Sequence, residues 1–367
     1  MKKNKILILA DAFGYGPINT AIHLVTKMNK NKYEFIFIGP KLCIEKANKE
    51  NVFDKLIAYD YDIKKFEKYK KYFLTADKII SIETTDILIF LINKYQLSNL
   101  YLIDNIFWMW DFIEKELINL KRYYISNVIS CDKNINRIAK NMSNIIKVGS
   151  LRKIEKFIDN SKKNNLLISL GGAESYMYDS SFINNFYLKT VNFILKNSYI
   201  KNFEKVYIAG GNFIINYLKQ NIKFDNNIVI DSFDNNLYRK IIKKSSYAII
   251  STGLGNFNEI ISTNIKVLFL LPINYSQYLQ RLEFKKFNLD FFFQENNKCK
   301  KIKYYLEESL GIKLVLENLK KYDYKNFNKE IKKFFEYKED NFDLRKKFYK
   351  NINKNGINEI IKDFERN

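Results

Sequence analysis

The chain has 367 residues, 47% of them hydrophobic and 28% charged, which excludes a disordered or fibrous polymer and points to about two domains at roughly 150 residues each. Lys and Arg number 62 against 40 Asp and Glu, a formal charge of +22, and the single histidine excludes a metal site that needs two imidazoles. Cys43, Cys131 and Cys299 lie far apart without C-x-x-C spacing, which argues against a disulfide framework, zinc ribbon or iron–sulfur site and suits a reducing cytoplasm.

The first ten residues carry Lys2, Lys3 and Lys5 before a short apolar run that Asp11 interrupts. The run is too short for a signal peptide and reads as a buried first strand. No stretch reaches the roughly 18 apolar residues of a membrane span. Strand-like runs then recur at Ile6–Ala10, Phe35–Ile38, Lys55–Tyr59, Lys78–Ile82, Leu100–Ile103 and Val128–Cys131. Helical stretches such as Asn19–Met28 and Ile87–Lys94 separate them. Short β-branched runs, apolar throughout, are expected of strands buried on both faces of a parallel sheet.

Ile145–Leu151 leads into a polar, helix-prone stretch, Arg152–Asn165, after which the rhythm restarts. Strands are predicted at Leu166–Leu170, Lys205–Ala209, Asn227–Asp231, Ala248–Ser251 and Val267–Leu270. The pattern predicts an α/β protein with two Rossmann-like domains facing a cleft, 1–150 and 151–300, and a helical segment, 301–367, packing on them. Helices are expected at Tyr304–Leu310 and Tyr322–Phe335. The chain is crowded with Lys, Asn, Ile, Tyr and Phe, so a coding bias toward AT-rich codons accounts for lysines on every solvated face. A basic face for anionic lipid or a phosphorylated substrate is the alternative, and no nucleic-acid-binding motif is present.

Three glycine turns follow predicted strands: Gly171-Gly172, Gly210-Gly211 and Ser251-Thr252-Gly253-Leu254-Gly255. Glycine lets backbone N–H groups approach a phosphate, and a helix N-terminus favours the negative charge. Glu259 lies further along the helix that begins after Thr252 and Gly253, where a carboxylate accepts from ribose hydroxyls. Past Leu271-Pro272, the loop with Asn274, Ser276, Gln277 and Gln280 offers amides that both donate to and accept from sugar hydroxyls. The order suits a nucleotide-sugar diphosphate. Ordinary strand-to-helix turns that bind nothing would use the same residues.

This stretch resembles the donor motif of inverting glycosyltransferases of the GT-B fold, the group of the peptidoglycan N-acetylglucosaminyltransferase and the UDP-glycosyltransferases. That motif runs strand, Ser/Thr-Gly-x-x-x-x-x-Glu, strand, Pro, then a loop ending in Gln. Thr252, Gly253 and Glu259 keep its spacing, and Gln280 falls on its second glutamine while Leu279 replaces the first. The resemblance implies that Thr252, Gly253 and Leu254 contact the diphosphate, Glu259 the ribose, and Gln277 or Gln280 the donor sugar. It implies no cofactor and no metal, the donor being a nucleotide-diphosphate sugar, with a UDP-sugar expected. Asp60-Tyr61-Asp62 carries the letters of a metal motif but reads as a solvated loop.

The first half should hold the acceptor. The resemblance places a catalytic His in the loop after strand one, and Gly16 stands at that position. His23 lies in the following helix and reads as structural. Asp11 and Asp104, each at the end of a strand, are the candidate bases, with helix or loop capping as the plainer role of Asp11. The cluster Phe107-Trp108-Met109-Trp110 would stack on an acceptor or pack the core. The expected protein is a cytoplasmic, metal-independent, inverting transferase acting on a carbohydrate, lipid-linked or small-molecule acceptor. Contact with the inner face of a membrane is compatible with it, and nucleic acid is not an expected partner. A hydrolase or epimerase of the same fold and a non-catalytic nucleotide-sugar-binding subunit are the alternatives.

Overall fold

The computed structural model describes residues 3–11, 13–60, 62–152, 157–158, 163–172, 177, 179–296, 298, 300–337, 342–352 and 355–366. The chain divides into two compact units, Met1–Lys153 with Ile352–Asn367, and Ile154–Asn351. Among the described residues no helix is long and apolar enough to cross a membrane.

Unit 1 is built on a parallel sheet of seven strands: β1 Asn4–Ala10, β2 Tyr33–Gly39, β3 Lys55–Ala58, β4 Lys78–Ile82, β5 Leu100–Asp104, β6 Arg122–Ser126 and β7 Ile145–Val148. Their spatial order is β3-β2-β1-β4-β5-β6-β7. The chain thus winds outward from β1 in one direction, returns, and winds from β4 in the other. Every residue from Ile6 to Ala10 is at most 2% exposed, so both faces of β1 are covered.

The last helix, Gly356–Arg366, belongs to unit 1. Its Ile357, Ile360 and Phe364 join the core that holds Ile6, Ile8 and Phe35. Gly356 is required by close approach: a Cβ there would come within 2.3 Å of the Gly149 carbonyl oxygen. Glu359 accepts the Gly149 N–H at 2.9 Å, and Asp363 accepts from Tyr124 Oη at 2.8 Å.

Unit 2 repeats the plan with six parallel strands: β8 Asn165–Ser169, β9 Lys205–Ala209, β10 Ile228–Asp231, β11 Tyr247–Ile250, β12 Lys266–Phe269 and β13 Phe291–Phe293. Their order is β10-β9-β8-β11-β12-β13. At the strand ends β8 and β11 pair in register, Ser169 opposite Ile250.

Two expectations need correction. Val128–Cys131 is loop, held where Cys131 Sγ donates to the Ser126 carbonyl. The strand expected there is β6, whose Tyr123 and Tyr124 bury their rings and bond carboxylates through their hydroxyls. The helix predicted from Tyr304 begins only at Glu308, because Tyr305 adopts a left-handed φ of 61° that a helix does not accommodate. Most of the stretch 152–165 lies outside the described residues.

Candidate active site

In a doubly wound sheet, ligands bind outside the carboxyl ends of the strands, where the winding direction reverses. In unit 2 that point lies between β8 and β11. The turn after β8 uses Gly171 at φ +68°, a conformation side chains other than glycine rarely adopt, and a Cβ there would approach Ser251 Oγ to 3.0 Å. The Gly171 carbonyl accepts the Gly211 N–H at 2.9 Å, so the β8 and β9 turns are tied together. Gly210 packs tightly, a Cβ there meeting Ile214 at 3.0 Å. Gly211 caps the helix Asn212–Asn221. The continuation of the first turn, 173–176, lies outside the described residues.

After β11 the chain passes through buried Ser251 and Thr252 into the short helix Leu254–Ile260. Thr252 donates its hydroxyl to the Leu270 carbonyl at 3.0 Å, holding this turn to the end of β12. Gly253 is extended, with φ 173°, so its backbone does not itself demand glycine. Tyr238, from the helix Asn235–Lys244, places Oη 3.0 Å from both Ser169 Oγ and Asn256 Oδ1. Asn256 in turn donates to the Ser251 carbonyl at 2.9 Å. Burial pushes the Tyr238 phenol well above its ordinary range, so it stays a neutral donor.

Glu259 faces back toward that helix. Arg239 Nη2 lies 3.2 Å from Glu259 Oε1, and Arg239 Nε lies 3.3 Å from both carboxylate oxygens. The pair fixes the Glu259 rotamer while leaving the carboxylate partly exposed, and lone pairs beyond those two donors remain for a hydroxyl.

The loop after β12 is organised as a helix cap. Asn274 Oδ1 accepts the Gln277 N–H at 2.8 Å and the Ser276 hydroxyl at 3.0 Å, and Gln277 Oε1 accepts the Ile273 N–H at 3.0 Å. These amides start the helix Tyr275–Lys286. Gln280, 5% exposed, reaches across and accepts the Leu254 N–H at 3.0 Å. The residues expected to contact the donor, Gly171, Gly172, Gly210, Gly211, Thr252, Gly253, Leu254, Gly255, Glu259, Asn274, Gln277 and Gln280, thus lie at or just beyond the carboxyl ends of β8, β9, β11 and β12. Their polar side chains are engaged with one another and with the turns. Ser251, from the Ser-Thr-Gly turn read in the sequence, completes the network with Tyr238, Arg239 and Asn256, to which the sequence assigned no role.

Unit 1 has its own reversal point, between β1 and β4. Asp11 follows β1, and its N–H donates to the Ile82 carbonyl at 3.0 Å. Asp104 ends β5 and is 2% exposed. Its carboxylate accepts from the Ile106 N–H at 2.7 Å, Trp110 Nε1 at 2.8 Å and Tyr123 Oη at 2.9 Å. Burial pushes this carboxyl up against the opposing pull of those donors. Three donors, of which Tyr123 is buried, make Asp104 an anchor for the Phe107–Trp110 segment, whose Phe107, Trp108 and Met109 are core residues. His23 Nδ1 lies 3.1 Å from the Leu151 carbonyl oxygen inside the first helix, Gly16–Lys27.

A third carboxylate, Glu83, follows β4 and went unnoticed in the sequence. It adopts φ 62°, and its Oε1 accepts from Asn105 Nδ2 at 2.7 Å. Burial, with Asp104 next in size, pushes its carboxyl up to about 8. Asn105 Nδ2 also lies 3.3 Å from Thr20 Oγ1, and Thr20 Oγ1 and Arg152 Nη2 bond the Gly16 carbonyl at 3.3 and 2.8 Å. The available signal was a lone carboxylate directly after a buried central strand. Among the described residues no group of three or more His, Cys, Asp or Glu could hold a metal ion.

No protein-family model and no curated protein sequence matches the chain. Solved structures do match. MurG of Acinetobacter baumannii superposes with a TM-score of 0.53 at 10% identity, over 99% of this chain and 100% of that one. LpCGTa in complex with UDP gives 0.54 at 8% identity over 99% and 100%. S. aureus MnaA, solved with UDP, gives 0.57 at 11% over 98% and 95%. Two doubly wound units of all-parallel strands, matched over nearly the whole chain, define a GT-B fold, with the helical C-terminal segment expected from the sequence. The similarity to MurG and to UDP-glycosyltransferases, first carried by Thr252, Gly253 and Glu259, extends to the architecture.

Proposed function

We propose that the protein is a glycosyltransferase that moves a sugar from a nucleotide-diphosphate sugar, a UDP-sugar in the first instance, to an acceptor hydroxyl. The observation that carries this reading is the row of turns at the carboxyl ends of β8, β9, β11 and β12, with Glu259 at the motif spacing from Thr252 and Gly253. The UDP bound to MnaA and LpCGTa supports a uridine donor. In this reading the turns at Gly171 and Gly253 receive the diphosphate and Glu259 accepts from the ribose. Gln280 exchanges the Leu254 N–H for a ligand group, and unit 1 carries the acceptor. The acceptor oxygen attacks the anomeric carbon from the face opposite the diphosphate. Its proton passes to a base, the new C–O bond forms as the bond to phosphate breaks, and the anomeric centre inverts. Backbone amides stabilise the leaving diphosphate without a cation.

A thermal-shift panel of nucleotide diphosphates and nucleotide sugars tests this, because a ligand that binds only the native state raises Tm by mass action. The expected result is a shift with one nucleotide that Glu259→Ala removes. No shift with any nucleotide would overturn the reading.

A second reading is favoured by one observation, the carboxylates Asp11, Glu83 and Asp104 at the strand ends of unit 1. A nucleotide-sugar hydrolase or epimerase would use such groups, and MnaA shares the fold. Incubating the chain with a nucleotide sugar and no acceptor separates the two readings. Free sugar or an epimerised donor marks the second, and an intact donor consumed only with acceptor marks the first.

A further inference from the structure

We propose that Glu83 is the general base of the reaction, taking over the task for which Gly16 offers no side chain; the assignment rests on the transferase reading above. Asp104 cannot serve, because three donors hold its carboxylate inside the core. Glu83 differs in each respect that matters. It stands at the reversal point between β1 and β4, the place in such a sheet where a ligand is received. Among the described residues its carboxylate receives a single hydrogen bond, from Asn105 to Oε1, and forms no salt bridge. Oε2 is left for a proton. Glu83 is also partly exposed, whereas Asp104 is sealed.

The backbone supports the same assignment. The Glu83 N–H donates to the Ile103 carbonyl at 3.0 Å, so the residue still belongs to the sheet margin. Its left-handed φ of 62° re-aims the side chain at a cost of order 1 kcal/mol. Asn105 orients the carboxylate and links it through Thr20 to the Gly16 loop, the segment in which the resemblance expects the base.

The charged groups acting on Glu83 are Asp104 from β5, Asp11 after β1 and Arg152 after β7. The two carboxylates raise its proton affinity, and Arg152 together with the Asn105 hydrogen bond lowers it. With burial the largest cause, the group titrates at about 8. A carboxylate so basic takes a hydroxyl proton far better than an ordinary one. The step balances: the acceptor oxygen gains the anomeric carbon, Glu83 gains the proton, and the nucleoside diphosphate leaves with the electron pair.

Glu83→Gln keeps the shape and the Asn105 contact and cannot ionise. The probes are UDP-glucose and UDP-N-acetylglucosamine offered together with glucose or p-nitrophenol as the hydroxyl acceptor, with acceptor-dependent UDP release followed from pH 6 to pH 9.5. Wild-type release should climb with pH and level off above about 8. Glu83→Gln should be slower by about 10²- to 10⁴-fold and should lack the rise, while UDP still raises its Tm as in wild type. Asn105→Ala removes a bond that favours the ionised form, so its rise should move to higher pH. An infrared titration of wild type against Glu83→Gln supplies a readout that needs no turnover, a carboxyl ionising near pH 8. A Glu83→Gln rate within about threefold of wild type, or a Glu83 carboxyl titrating in the ordinary range, overturns the proposal. Absence of any nucleotide-induced Tm shift in wild type would instead remove the transferase reading, and this assignment with it.

Discussion

Glu83 binds its proton more tightly in the folded chain than in the unfolded one, and that difference is a statement about stability. Its folded value is raised from an ordinary 4.5 to about 8, so its favourable contribution is complete below pH 4.5 and is lost as pH climbs through 8. Glu83→Gln has no such loss. The difference in Tm between this variant and wild type should therefore grow in the variant's favour from pH 5 to pH 8 and change little above. Parallel Tm profiles for the two proteins over that range would show the carboxyl to be ordinary. Asp104 makes the opposite case. Asp104→Asn replaces one oxygen by an NH₂ that cannot accept, so one of Ile106 N–H, Trp110 Nε1 and Tyr123 Oη loses its partner inside the core. A cost of about 1–3 kcal/mol is expected at neutral pH, seen as a lower urea midpoint with unchanged slope. No change in midpoint would mean that the anchor is not needed. The pairing of Asp11 and Asp104 as candidate bases followed from their place at strand ends, which sequence does reveal. Which carboxylate is sealed and which is half-open depends on Tyr123, Trp110 and Asn105, residues remote from one another along the chain, and no spacing rule displays that.

At the scale of elements, the strands were legible wherever a continuous apolar run stood alone between polar segments. Lys78–Ile82 and Lys205–Ala209 were read to the residue. β6 was not, because Arg122-Tyr123-Tyr124 looks amphipathic, and its hydroxyls find their carboxylate partners at Asp104 and Asp363 only in the folded unit. β13 is three phenylalanines long, too short for any periodicity to register. Asn274 and Gln277 were read as sugar contacts from their chemistry, although Asn-x-x-Gln before a helix is also a capping pattern. The last helix carries the sharpest prediction at this scale. Ile357, Ile360 and Phe364 are each at most 3% exposed in the unit 1 core. At about 1.5–3 kcal/mol per buried side chain, with the extended-chain reference making this an upper bound, their removal costs about 5–9 kcal/mol, comparable to the whole stability of a domain. Truncation after Asn351 should therefore abolish the cooperative unfolding of unit 1. Gly356→Ala, which drives a methyl into the Gly149 carbonyl, should lower Tm while leaving the transition cooperative. A truncated chain with an unchanged thermal transition would contradict the packing.

At the scale of the molecule, each unit reproduces one strand order around its own reversal point, and this repetition is what the restart of the strand rhythm after residue 165 encoded. The charge of +22 is the molecular property that the fold does not absorb. The ion pairs Lys94–Glu67, at 2.7 Å, and Lys147–Asp132, at 2.8 Å, are exposed, and such pairs contribute about 0–1 kcal/mol each. The uncompensated lysines repel one another more in the compact state than in the expanded one, which lowers stability. Salt weakens this repulsion, since the screening length falls from about 30 Å at 0.01 M to about 8 Å at 0.15 M. Tm should therefore rise between those two concentrations of sodium chloride, with most of the gain complete by 0.15 M. A Tm that falls over this range would mean that attractive pairs dominate and that the excess charge lies too dispersed to matter. Vesicles then separate the two origins of that charge. Lysines spread by coding bias should give weak sedimentation with phosphatidylserine vesicles that disappears by 0.15 M salt. Lysines gathered into one face should keep the protein on the vesicles at that concentration, because several basic residues held against one anionic surface act together.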